Sequence, residues 1–141
     1  MINTHPILLP VLVLVLWSMV QLIWMAATRL PAIGAAKLGP AAGQRTAELA
    51  GQIPKEVQWK ADNYNHLMEQ PTLFYATAIT LAVVGLGAGL NLYLAWLYTG
   101  LRVVHSIVQS TINPVMVRFS LFVLGSLALA AMAVNGVMQM L

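Results

Sequence analysis

Asn65 and Glu69 stand in one apolar stretch of the chain, Arg102 and His105 in a second, and Arg118 near the start of a third. A carboxylate, a guanidinium and an imidazole can hold ions, move protons and stabilise an opposite charge. In hydrocarbon they are expensive, at roughly 2.5 kcal/mol or more for a charge at mid-bilayer. They persist there when they face a bundle interior and pair with one another or with a polar ligand. Asp62, Asn65 and Glu69 follow the spacing i, i+3, i+7, which places them on one helical face. Arg102, His105 and Gln109 repeat that spacing. Two polar stripes on neighbouring spans predict a direct ion pair between Glu69 and Arg102, with Asn65 in the same network. Arg118 is a separate case. On spacing alone it reads as a snorkelling arginine near the interface, within reach of lipid phosphate.

The elements that must position these groups follow from composition. Of 141 residues, 60% are apolar and only 8% charged, against about 25% charged in a soluble domain. The mean hydropathy is +0.79. These values exclude a soluble globular protein and predict an all-α integral membrane protein, a four-helix bundle forming one domain over 1–141. No cysteine is present, so thiol chemistry would have to come from a bound substrate. His5, His66 and His105 lie on different segments without paired ligand spacing, so no metal site is expected. Five of the seven basic residues (Arg29, Lys37, Arg45, Lys55, Lys60) fall between positions 29 and 60. That clustering fits a cytoplasmic loop under the positive-inside rule and not a nucleic-acid surface.

The spans are expected at about 6–28, 57–87, 92–112 and 114–140. The first lacks a basic leader and is too long for a signal peptide, so it reads as a retained span. The loop over 29–56 carries Pro31, Pro40 and Pro54, and its stretch 41–50 is a candidate short surface helix. Pro71 should kink or loosen the second span. Asn113-Pro114 separates the last two spans. With the first loop cytoplasmic, both termini face the other side, as in a multi-pass protein of a bacterial inner membrane.

The polar positions then resemble a known family. Asn65-x-x-x-Glu69-x-Pro71 is followed by Arg102-Val103-Val104-His105, and by Arg118 thirteen residues after the histidine. The pattern is similar to that of the MAPEG family, membrane-associated proteins in eicosanoid and glutathione metabolism, in a bacterial-type form. The resemblance covers the whole chain. It implies a homotrimer in contact with membrane lipids, with glutathione as co-substrate bound between subunits on the cytoplasmic side. It implies that Arg118 stabilises the glutathione thiolate for attack on a lipophilic electrophile, in a transferase or peroxidase reaction. Asn65, Glu69, Arg102 and His105 would hold the tripeptide, with Lys60 and Gln109 as further candidates. The chain departs from the family pattern at Gln109, where many members have tyrosine, at Ala61, where a eukaryotic branch has arginine, and at Phe119, where one branch has serine. These departures motivate the alternative of a non-catalytic, lipid-binding scaffold.

Overall fold

A computed structural model of the protein describes residues 5–141. Five α-helices and one short 3-10 turn account for the regular structure: α1 (Leu8–Ala35), the 3-10 turn Thr46–Leu49, α2 (Lys55–Leu67), α3 (Pro71–Val83), α4 (Leu90–Thr111) and α5 (Val115–Met140). Helices α2 and α3 form one broken leg, so the architecture is a four-legged bundle with no strand among the described residues. Helices α1 and α5 are long and apolar enough to cross a membrane by length and composition.

Helix α4 is the axis of the bundle and packs against all four other helices. Its polarity is inverted relative to a soluble helix. Asn91, Thr99, Arg102, His105, Ser106, Gln109 and Ser110 are buried, while Tyr93, Trp96, Leu97, Val104 and Ile107 are exposed. An apolar outer surface suits a lipid or subunit environment, because hydrocarbon cannot hydrogen-bond a polar side chain. The interior divides along α4 into two halves. One half is apolar, where Phe74 stacks on Tyr98 with ring centroids 4.5 Å apart, among Leu14, Ala78, Leu81, Leu94 and Met132. There Gly136 leaves room for Leu81, whose Cδ2 would lie 2.7 Å from a Cβ at that position.

The other half is polar, and its groups are linked by hydrogen bonds between helices, with some polar atoms left unpaired. Asn63 Nδ2 donates to Gln21 Oε1 at 3.0 Å and to Ser106 Oγ at 2.7 Å, and Ser110 Oγ donates to the same Gln21 oxygen at 3.3 Å. These bonds tie α1, α2 and α4 together where apolar packing is sparse. Hydrogen bonds of this kind between membrane helices contribute on the order of 0.6 kcal/mol each.

The structure revises the expected boundaries. Helix α1 does not stop near Thr28 but runs through Pro31 to Ala35. Proline removes only one helix bond, and the alanines that follow favour continuing the helix. The stretch 41–50 contributes only the 3-10 turn Thr46–Leu49, because Gly43 at φ +86° interrupts it. The second span is loosened at Pro71, as expected, and far enough to divide it into two helices joined by i→i−3 turns over 68–70. Pro71 has no N–H and its ring excludes the helical carbonyl four residues earlier, so α2 ends at Leu67. Pro71 then occupies the first turn of α3, where a missing N–H costs nothing.

Candidate functional site

The break between α2 and α3 opens a cavity of about 500 Å³ at the polar end of the bundle. Its walls come from three helices and the break itself: Asp62, Asn65, His66 and Glu69 on one side, His105 and Gln109 behind, and Val115, Arg118, Phe119 and Phe122 on the other. The volume lies within the roughly 300–1,000 Å³ of small-molecule sites.

Each wall has a local cause. Asp62, Asn65 and His66 lie on the last two turns of α2, so they share a face. His105 and Gln109 are four residues apart on α4 and stack one above the other. Arg118 lies in the first turn of α5, started by Pro114 in an extended conformation. Phe119 and Phe122 follow on that helix and give this wall an apolar surface.

Five of the residues singled out from the sequence meet in the cavity: Asn65, Glu69, His105, Gln109 and Arg118. Two do not line it. Arg102 is only 1% exposed and sits behind His66. Lys60 is turned toward α1, its Nζ 5.1 Å above the ring of Trp24 while donating to the carbonyl of Glu56 at 2.9 Å.

The expected Glu69–Arg102 ion pair is not formed. Arg102 Nη2 donates to the main-chain oxygen of His66 at 3.0 Å, and its Nη1 lies 3.4 Å from His66 Nε2. His66 Nδ1 lies 3.1 Å from Glu69 Oε2. The spacing i, i+7 assumed one continuous helix. Because α2 stops at Leu67, Glu69 falls in the turn beyond it, with a side chain 69% exposed at the cavity mouth.

Three polar atoms of the cavity walls are buried and have no partner among the described residues: His105 Nδ1, Gln109 Oε1 and Arg118 Nε. Leaving such an atom unpaired costs about 1–3 kcal/mol, more for a charged group. Both a donor and an acceptor thus remain unpaired in the side chains that line the cavity. Among the described residues no group of histidines and acids is arranged to hold a metal ion.

The family model of the MAPEG family matches residues 7–138. The chain belongs to the MAPEG family. This places it among the integral membrane bundles of glutathione and eicosanoid metabolism, consistent with the apolar exterior and the two long apolar helices. No curated protein and no solved structure matches this MAPEG member. Sequence spacing overlooked His66, which contacts Glu69 and Arg102 and lies within 5.0 Å of His105 and 5.5 Å of Phe122, ring centroid to ring centroid. The available clue was its position three residues before Glu69, a separation at which helical side chains meet.

Proposed function

We propose that the protein is a glutathione-dependent transferase or peroxidase that activates the glutathione thiol at Arg118 for attack on lipophilic electrophiles. The observation that carries this reading is a cavity lined together by Arg118, His105 and Gln109, each of which keeps a buried polar atom without a hydrogen-bond partner among the described residues. A guanidinium beside a thiol favours its anion, and the thiolate is the nucleophile. Asn65 and Glu69 supply an amide and a carboxylate at the mouth, suited to a peptide backbone and an ammonium group. Val115, Phe119 and Phe122 offer an apolar wall for the second substrate. The thiolate sulfur then bonds to the electrophilic carbon, and the leaving group departs with the bonding pair. In this reading the protein works as a homotrimer in a bacterial inner membrane, with both termini periplasmic and the cavity open to the cytoplasm. Lys60, facing Trp24, serves the fold and the headgroup region rather than the tripeptide.

The apolar wall also supports a second reading, a scaffold that binds lipid without catalysis. Thermal denaturation of the purified protein separates the two. Millimolar glutathione is expected to raise the midpoint, since a ligand at 100 times its Kd stabilises by about 2.7 kcal/mol. A rise with fatty acids and none with glutathione would select the scaffold.

A further inference from the structure

His66 lies between a buried cation and an exposed carboxylate, and the donors around it decide where its proton sits. Arg102 has only N–H donors to offer, so a hydrogen bond to His66 Nε2 requires that nitrogen to be the acceptor. The proton of the neutral ring is then on Nδ1, which donates to Glu69 Oε2 at 3.1 Å. The second contact of Arg102, to the His66 carbonyl at 3.0 Å, grips the same residue through its backbone. The ring is further confined by His105 at 5.0 Å and Phe122 at 5.5 Å. Glu69 has no comparable support. It stands beyond the end of α2, and its bond to His66 is its one side-chain hydrogen bond among the described residues.

We propose that His66, fixed as the Nδ1–H tautomer by Arg102, is the positioning residue that aims the Glu69 carboxylate at the ammonium group of the bound ligand. The assignment rests on the glutathione reading above and adds to it a chain Arg102–His66–Glu69 ending at the ligand. Its energetic basis is pre-organisation: a side chain already held in its bound rotamer does not lose that freedom on binding, worth about 0.5–1.5 kcal/mol per side chain.

The two ring nitrogens can be separated by substitution. His66→Asn places an amide N–H near the Nδ1 position and retains a donor for Glu69. His66→Gln carries its amide farther out, toward Nε2, and leaves Glu69 without that donor. Equilibrium binding of radiolabelled glutathione to the full-length detergent-solubilised protein is the measurement, with unliganded thermal midpoints confirming that each variant is folded. Glu69→Gln and His66→Gln should each weaken binding about tenfold, and the double variant should be no weaker than about tenfold, because both break one chain. His66→Asn should bind within about threefold of wild type. A purely structural histidine would give a different pattern, with losses that multiply in the double variant or equal losses for asparagine and glutamine. Either pattern overturns the assignment, as does unimpaired binding by His66→Gln when Glu69→Gln is weakened. Unimpaired binding by Glu69→Gln removes the aim of the chain and overturns it too. Failure of the wild-type protein to bind glutathione at millimolar concentration overturns the glutathione reading itself, and this assignment with it.

Discussion

Arg118→Ala should lower kcat/KM for conjugation of glutathione to a chlorinated nitrobenzene by about 10²–10³-fold, the usual cost of removing one electrostatic stabiliser from a reacting centre. The guanidinium lies in the first turn of α5 and lines the cavity with an unpartnered Nε, so its removal takes the cation from the wall without cutting an internal ion pair. The loss should therefore appear in catalysis, with little change in unfolding behaviour. Arg118→Lys should recover part of the rate, because an ammonium retains the charge but not the planar fork. The ultraviolet absorption of the bound thiolate gives an independent measurement, strong in the wild type and weak in Arg118→Ala. Equal rates for wild type and Arg118→Ala would remove the arginine from the chemistry.

Arg102→Ala should instead act on the fold, destabilising it by about 3 kcal/mol, within the range for truncating a large buried side chain. Two contributions add. The side chain is almost wholly enclosed, so truncation leaves a void. Its Nη2 also caps the end of α2 through the His66 carbonyl, which otherwise accepts only a long 3.4 Å bond from the Glu69 N–H, at a helix end where a cation is favoured. Arg102→Met fills most of the void without restoring the cap. It should recover most of the stability, since a buried charge with an unpartnered Nε also carries a desolvation cost that methionine does not. Glutathione affinity should stay low in both variants, because His66 has lost the group that fixes its proton. Reversible unfolding in mixed detergent micelles, read beside glutathione binding, separates the two effects. If methionine is as unstable as alanine, the cap outweighs the packing.

The sequence made the bundle and most of the cavity legible for physical reasons. Apolar length marks a span whatever its neighbours do, so α1 and α5 stand out. Polar groups inside apolar stretches need interior partners, which pointed to Asn65, Glu69 and His105, whereas Arg118 read as a snorkelling side chain on spacing and joined the site only through the family resemblance. Spacing lost its force where the helix was interrupted. Pro71 was visible, but whether it bends a helix or ends it depends on what caps the released carbonyls. Here Arg102 from another helix does so, a contact no local pattern contains. The same break moved Glu69 off the shared face and inserted His66 between it and Arg102. Lys60 looked like a cavity residue by proximity to Ala61, yet the phase of α2 turns it toward Trp24.

The inverted polarity of α4 has a consequence for how the protein is made. A helix that carries Arg102, His105 and several amides is a poor substrate for insertion on its own, since an arginine near a helix centre costs about 2.5–3.5 kcal/mol on insertion scales. Helix α3 has only 13 residues and cannot span alone. Helices α1 and α5 are long and apolar enough to cross a membrane, and α5 is synthesised after α4. The membrane-embedded state of α4 therefore waits on the 26-residue helix that follows it in the chain. Glycosylation mapping of chains truncated before Val115 should find the Leu90–Thr111 segment largely outside the bilayer, and restoring α5 should bring it in. Insertion of the bundle would then run from its two flanking helices toward α4, with the polar helix admitted only once both lipid-compatible ones are there to shield it.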